Sequence, residues 1–159
     1  MAFEETTSLP PALVEEHDAL HAELRRATRL PGRIGELATT VAAVLHDHFE
    51  REEELAMPSL KVLAALAHDH LPANSQYIAQ SADRLKTEMS RMLMEHREIV
   101  NALDRLIDAA LAENTFEIAE LAERMKHHVR MEEEVLYPAA MLVGQYLRLR
   151  LAQKQGMKE

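Results

Sequence analysis

The sequence contains no cysteine in its 159 residues. This absence excludes disulfide bonds, thiol catalysis, iron–sulfur clusters and zinc–thiolate sites. The first residues, MAFEETTSLPP, are acidic and lack the apolar core of a signal peptide. We therefore expect a cytoplasmic protein.

Positive charge and long apolar runs are also scarce. The formal net charge is −9, and no basic stripe stands out, which argues against nucleic acid as a partner. No run is both long and apolar enough to cross a membrane. The sequence thus predicts neither a nucleic-acid partner nor a membrane partner.

Glycine and proline are few, with 4 and 6 residues respectively. No strand-like alternation appears between turn signals, and the leucine, alanine and glutamate content favours helices. The fold class is predicted to be all-α. With 47% hydrophobic residues, residues 1–159 are expected to form a single domain around one core.

Four segments carry apolar residues at alternating spacings of three and four, which is typical of one face of a helix. The inward stripes are predicted to be Leu13, His17, Leu20, Leu24, Ala27; Ile34, Leu37, Val41, Leu45, His48, Glu52, Leu55; Leu85, Met89, Met92, His96, Ile99, Leu103, Leu106, Ala110; and Ile118, Leu121, Met125, His128, Glu132, Val135. Ser8 is the expected cap of the first helix, and Asn114 or Thr115 that of the fourth.

This spacing predicts an up-down-up-down four-helix bundle over about residues 10–140. Residues 59–72 are expected to join its halves as a short connecting helix. Residues 141–155 are expected to form a C-terminal helical extension that caps the bundle or meets another subunit, which makes it a candidate surface for a homo-oligomer.

The two halves of the chain repeat one pattern. HDHFEREEELAMP begins at His46 and KHHVRMEEEVLYP begins at Lys126, about eighty residues later. The inward histidines are 31 residues apart in the first half and 32 in the second, and each pair is centred close to a predicted turn. In an antiparallel hairpin, positions equidistant from the turn lie at one height, so four histidines should share one layer.

Two glutamates extend this layer. Glu52 and Glu132 lie one helical turn beyond His48 and His128 on the same stripes. An unpaired buried carboxylate is costly, and metal ligation relieves that cost. The predicted metal ligands are therefore His17, His48, Glu52, His96, His128 and Glu132.

The remaining polar residues are weaker candidates. Surface or loop positions are expected for His46, His68, His70 and His127, and a solvated face for Glu53, Glu54, Glu133 and Glu134. His21 lies one turn from His17, but its counterpart in the second half is Val100. We expect His21 to support the site without binding the metal.

Imidazoles and carboxylates without thiolates suit iron, with manganese or zinc as substitutes. Four histidines and two glutamates exceed one ordinary zinc site and suit two metals bridged by the glutamates. The chain contains no Glu-x-x-His and no His-Glu-x-x-His motif, so ferritin-like di-iron sites and zincin sites are not predicted.

The pattern resembles the hemerythrin-like proteins, the HHE cation-binding domains. Their ligands follow a histidine, His-x-x-x-Glu, a histidine and a second His-x-x-x-Glu on four successive helices. Those positions are His17, His48 with Glu52, His96, and His128 with Glu132. The resemblance covers about residues 10–140. It implies an up-down four-helix bundle around two non-haem iron ions, with the carboxylates bridging.

Two positions differ from the oxygen-carrying hemerythrins of invertebrates. Those proteins have a second histidine on the third helix, where this chain has Val100, and an aspartate five residues after the fourth-helix histidine, where this chain has Glu132 four residues after it. The set of four histidines and two glutamates resembles instead bacterial members linked to nitric oxide stress and iron–sulfur repair.

Three functions follow as hypotheses. The first is a di-iron protein that binds oxygen or nitric oxide for sensing, storage or stress protection. The second is a di-iron redox enzyme or iron donor, acting as an oxidase, in peroxide scavenging or in iron–sulfur repair. The third is a regulatory interaction module with a structural metal. For the first, the apolar pocket is expected to be lined by Leu20, Leu24, Leu45, Met92, Ile99 and Met125.

Overall fold

The computed structural model describes residues 8–158, and every regular element among them is helical. The elements are α1 (Pro11–Ala27), α2 (Gly32–Leu55), α3 (Met57–Leu60), α4 (Leu63–Ala67), α5 (Ser75–Ala112), α6 (Phe116–Met131), a π-helical turn (Glu132–Leu136) and α7 (Tyr137–Gly156). The predicted all-α class is confirmed.

Helices α1, α2, α5 and α6 pack around a shared core. Helix α1 lies against α2 and α6, and α5 lies against the same two helices. The predicted stripes supply most of this core, which includes Leu20, Leu24, Ile34, Val41, Ile99, Leu103, Leu106, Leu121 and Met125. These contacts form the closed ring expected of a four-helix bundle, and they bring all four histidine-bearing helices to one interior.

Two turns join neighbouring helices of the ring. Gly32 begins α2 with a φ of +73°, a left-handed conformation that glycine adopts without steric cost. Asn114 takes a φ of +57° after α5, and asparagine is among the residues that tolerate it. Thr115 occupies the N-cap of α6 without a side-chain hydrogen bond. The cap predicted at Ser8 is wrong, because the N-cap of α1 is Pro10 and Pro11 opens the helix.

The π-helical turn changes which residues face the core after Glu132. Val135, predicted on the inward stripe, is 47% exposed, whereas Tyr137 is fully buried. A π-turn holds one residue more than an α-turn and therefore rotates the side chains that follow it. The stripe predicted for the fourth helix is correct through Glu132 and wrong at Val135.

The connection between the halves contains two short helices instead of the one predicted. Helix α3 begins at Met57, with Pro58 in its first turn, and α4 follows over Leu63–Ala67. Asp69, with a φ of 60°, lies in the loop that leads to α5.

The C-terminal extension is helical, as predicted. Helix α7 packs against α5 and α3, and Gly144 allows the close approach because a Cβ there would lie 2.4 Å from the Cβ of Ala82. Leu142 and Leu149 remain 64% and 65% exposed. A homo-oligomer formed through this helix stays a prediction.

Within residues 8–158, no helix combines the length and the apolar character needed to cross a membrane.

Candidate metal centre

The six predicted ligands all lie in the interior, on helices α1, α2, α5 and α6 and at the first residue of the π-helical turn. Their exposed fractions range from 1% to 8%. Each helix therefore directs at least one polar side chain into a layer that is otherwise apolar. The histidines do not pair within their own hairpins.

Instead, the histidines face each other across the two hairpins. His17 Nε2 on α1 lies 2.7 Å from His128 Nε2 on α6. His48 Nε2 on α2 lies 2.9 Å from His96 Nε2 on α5. Each half of the repeat thus contributes one imidazole to each pair.

Glu132 lies between the two pairs. Its Oε1 is 2.9 Å from His128 Nε2 and 3.7 Å from His17 Nε2, while its Oε2 is 3.0 Å from His96 Nε2. Among the described residues, two buried groups of donors are close enough to hold an ion, and Glu132 belongs to both: His17, His128 and Glu132, and His48, His96 and Glu132. A third group, His46, Asp47 and Glu50, is exposed, and such acidic groups are common on protein surfaces without an ion. The two buried groups of donors therefore share the Glu132 carboxylate.

Glu52 is the less satisfied of the two glutamates. It is 1% exposed, and its Oε1 has no hydrogen-bond partner. Burial raises the pKa of Glu52 well above its ordinary value, and the charge of Glu132 raises it further. Burial acts in the same direction on Glu132, but contacts with three histidines outweigh it and hold the pKa of Glu132 well below its ordinary value.

The histidine pKa values follow the position of Glu132. Burial alone disfavours the charged imidazole. At His96 and His128 the nearby Glu132 outweighs burial and raises the pKa. At His48 burial prevails over the hydrogen bond with Glu95, and the pKa is lowered.

The outer nitrogens of one histidine pair are anchored by carboxylates. His48 Nδ1–H donates to Glu95 Oε2 at 2.9 Å, and His96 Nδ1–H donates to Glu133 Oε1 at 2.9 Å. Burial acts to raise the pKa of Glu95, but hydrogen bonds from Arg51 and His48 outweigh it and lower that pKa. Glu95 therefore stays ionised and accepts the hydrogen bond from His48 Nδ1–H.

These hydrogen bonds test whether a metal fits. A carboxylate accepts hydrogen bonds, so both rings carry their proton on Nδ1. When the rings are neutral, two lone pairs face each other across the 2.9 Å between His48 Nε2 and His96 Nε2, which is unfavourable unless a cation lies between them. Two nitrogens bound to one ion at about 2.0–2.1 Å are separated by about 3 Å when they are adjacent ligands. Glu52, whose buried Oε1 has no hydrogen-bond partner, lines the same cavity as His48 and lies outside both buried donor groups. The paired imidazoles and Glu132 fit metal ions.

A family model described as the hemerythrin HHE cation-binding domain matches residues 9–140. The chain belongs to this hemerythrin family. No curated protein and no solved structure matches it. The family and the clustered histidines and glutamates together make it a metal-binding protein.

A cavity of about 30 Å³ opens beside the hemerythrin-type centre. Its polar wall is formed by residues of the predicted site and His21, and its apolar wall by Leu20, Leu45, Phe49, Ile99, Met125 and Val129. Leu24 and Met92, which were expected in the pocket, are buried in the core and do not line this cavity. The predicted pocket is therefore correct in four of its residues.

His21 lies at the cavity and outside all three groups of donors that could hold an ion among the described residues. Its ring centroid is 5.8 Å from that of His17 and 4.9 Å from that of Phe49. Burial lowers the pKa of His21, and the neighbouring His17 lowers it further. A neutral ring packed on Phe49 agrees with a supporting role, and the absence of metal binding at His21 stays a prediction.

Sequence reasoning missed three residues around the hemerythrin-type centre. Glu95 was not considered, and Glu133, expected on a solvated face, accepts a hydrogen bond from His96. Tyr137 is fully buried, and its hydroxyl lies 3.3 Å from His48 Nε2 and 3.2 Å from His96 Nε2. All four glutamates of that expected face, Glu133 included, are exposed as predicted.

The repeat contains a signal for one of these residues. Glu95 directly precedes His96, as Glu16 precedes His17, and Glu16 Oε1 lies 3.3 Å from His128 Nδ1. That distance permits an electrostatic contact, but His128 Nδ1 makes no hydrogen bond. Tyr137 has Met57 as its counterpart, so the repeat could not have indicated it.

Proposed function

We propose that this protein is a non-haem di-iron protein that binds a small diatomic ligand, oxygen or nitric oxide, for sensing, storage or stress protection. The observation that carries the proposal is the pairing of four histidines across the bundle. The two Nε2 pairs, separated by 2.7 Å and 2.9 Å, share Glu132 between them. Such an arrangement offers two adjacent positions for metal.

In this proposal His17 and His128 hold one metal, and His48 and His96 hold the other. Glu132 lies between the positions, and Glu52 supplies the second shared carboxylate. Imidazole and carboxylate donors without thiolate suit iron, and manganese or zinc could substitute. Iron held by these residues would supply Lewis acidity and electrons for a small ligand.

The chain's own residues limit the size of that ligand. A cavity must offer about 10–15 Å³ to admit one water-sized molecule, so the 30 Å³ beside the centre suits a molecule of two or three atoms. The side chains of Leu20, Ile99 and Met125 make its wall apolar. An apolar wall disfavours ions and large polar substrates and favours a neutral diatomic molecule.

The deciding experiment is metal analysis combined with visible spectroscopy. About two irons per chain are expected, and the reduced protein should gain a new visible absorption band with oxygen or nitric oxide. His127→Ala serves as the matched control, because His127 is exposed and, among the described residues, belongs to no group of donors that could hold an ion. Unchanged spectra with both gases would contradict the proposal.

The position of His21 favours a second candidate, a di-iron redox enzyme or iron donor. Without a fifth histidine ligand, both metal positions keep room for a substrate, which makes redox turnover easier. Steady peroxide consumption by the purified protein, lost in His48→Ala and kept in His127→Ala, would support the enzyme. Ligand binding without turnover would leave the first proposal in place.

A further inference from the structure

The two histidine pairs differ in how firmly their rings are held. On the His48–His96 side, both Nδ1–H groups donate to carboxylates at 2.9 Å, one to Glu95 and one to Glu133. The Tyr137 hydroxyl lies against both Nε2 atoms of this pair. Both rings are therefore fixed in orientation, with a proton on Nδ1, before any ion binds.

Glu95 is itself fixed by two arginines. Its Oε1 accepts hydrogen bonds from Arg51 Nε at 2.9 Å and Arg91 Nε at 3.3 Å, and Arg51 Nη2 lies 2.7 Å from the same oxygen. The Glu95 side chain is only 14% exposed. A carboxylate held from several directions orients His48 more firmly than an exposed one could.

The His17–His128 side has weaker support, because the 3.3 Å contact between His128 Nδ1 and Glu16 Oε1 is not aligned as a hydrogen bond. His128 Nδ1 is buried and makes no hydrogen bond, and the nearby Glu16 side chain is 47% exposed. The hydrogen bond and the ion pair that His17 makes with described residues both involve its Nε2. Both of these rings line the cavity, whereas only His48 does so from the other pair.

We propose that the two metal positions are unequal and fill in a fixed order. The His48–His96 position binds first and more tightly, because Glu95 and Glu133 act as positioning residues for its two imidazoles. The His17–His128 position fills second and is the one that meets the small ligand in the cavity. This inference rests on the proposed two-metal centre.

The order predicts two separable binding steps for Zn²⁺ added to the metal-free protein in competition with a chromophoric chelator. His17→Ala should keep the tight step, and His48→Ala should keep only the weak one. These two variants distinguish two explanations of stepwise binding: sites of unequal affinity, and equal sites at which the first bound ion repels the second. Repulsion alone would leave both variants with one step of the same affinity.

Glu95→Gln tests the positioning role directly. Loss of a carboxylate that orients a metal-binding histidine typically weakens metal affinity by about 10–100-fold, so the first step should weaken by that factor and the second should change little. A general loss of stability would weaken both steps. Glu98→Gln is the matched control, since Glu98 lies on the same helix and is exposed.

A measurement on the unaltered protein guards against variants that fail to fold. With one equivalent of Zn²⁺, the imidazole nitrogen resonances of His48 and His96 should shift, and those of His17 and His128 should stay in place. Simultaneous shifts in all four, or equal effects of Glu95→Gln and Glu98→Gln, would overturn the inference. If the unaltered protein binds only one Zn²⁺, the two-metal proposal itself fails, and this inference fails with it.

Discussion

The two copies of the repeat place a proline ten residues after the inward histidine, yet the backbone differs between them. In the first copy, α2 ends at Leu55 and Pro58 lies in the first turn of the short helix α3. In the second, α6 passes through the π-helical turn into α7, with Pro138 in its first turn. One sequence pattern therefore gives a helix end in one half and a continued helix in the other.

Proline chemistry and packing explain the difference. Proline has no backbone N–H and its ring clashes with the carbonyl four residues earlier, so an α-helix cannot pass through it undisturbed. A π-turn contains one residue more than an α-turn, which makes room for the proline and lets the helix continue. Continuation is favourable in the second copy because α7 buries an apolar face, including Val143 and Leu147, against the start of α5.

The two glutamates of the repeat differ in the same way. Glu132 contacts three histidines and its pKa is lowered, whereas Glu52 is equally buried, has an oxygen without a partner and has a raised pKa. Identical spacing thus places one carboxylate in a stabilising network and the other in an unfavourable environment. The comparison predicts that bound metal removes the difference by giving Glu52 a partner.

The largest expected effect comes from removing the metal. A ligand that binds only the folded state adds about 4 kcal/mol to the free energy of unfolding at about a thousandfold excess over its Kd. Without metal, the layer retains the unpaired Glu52 oxygen and the facing Nε2 atoms. Thermal unfolding followed by circular dichroism, with and without a chelator, measures this loss. Equal melting temperatures would show that the layer is stable by itself.

The second prediction concerns metal content. Glu52→Ala and Glu132→Ala should each lower the metal bound per chain more than Glu54→Ala and Glu134→Ala, because only the first two side chains are buried in the histidine layer. Elemental analysis of the four purified variants measures this. Equal losses in all four would mean that metal binding does not depend on the buried pair.

The third prediction separates the two glutamates in the metal-free protein. Glu132→Gln should lower the free energy of unfolding by about 1–3 kcal/mol, the cost of leaving buried polar partners unsatisfied. Glu52→Gln should leave it unchanged or raise it, because the variant removes a buried carboxylate whose charge has no partner. Urea unfolding of both variants and the parent, in chelator, gives the comparison.

The pH dependence of these two variants should run in opposite directions. The folded state disfavours ionised Glu52, so this residue lowers the free energy of unfolding as pH rises above its ordinary pKa of 4.5. The stability of Glu52→Gln relative to the parent protein should therefore increase as pH rises from 4.5. Glu132 contributes stability above its ordinary pKa of 4.5 and loses it as pH falls towards its lowered pKa. The penalty of Glu132→Gln should therefore shrink in acid. A parallel dependence for both variants would contradict the difference in environment.

Periodicity could predict most of the fold, because the inward stripes depend on spacing that the chain displays directly. It placed His17, His96 and Glu132 in one layer without any structural information. It failed at Val135, because the spacing was extrapolated at 3.6 residues per turn and no signal in the sequence indicated the π-helical turn that begins at Glu132. It also missed Glu95, because the partner of a histidine on another helix depends on how the helices face each other.

The smallest expected effect is at His21, where the two copies of the repeat differ by having histidine in one and Val100 in the other. His21 is half-buried and lies outside both buried groups of metal donors, so His21→Ala should still bind about two metals per chain. Its ring packs edge-on against Phe49, and losing an aromatic pair of this kind costs about 0.5–1.5 kcal/mol beyond area burial. The variant should therefore lose some stability and no metal. His17→Ala, one turn away on the same helix, should lose at least one metal. If metal analysis shows equal losses in both variants, His21 is a fifth histidine ligand and the two copies differ in the metal layer itself.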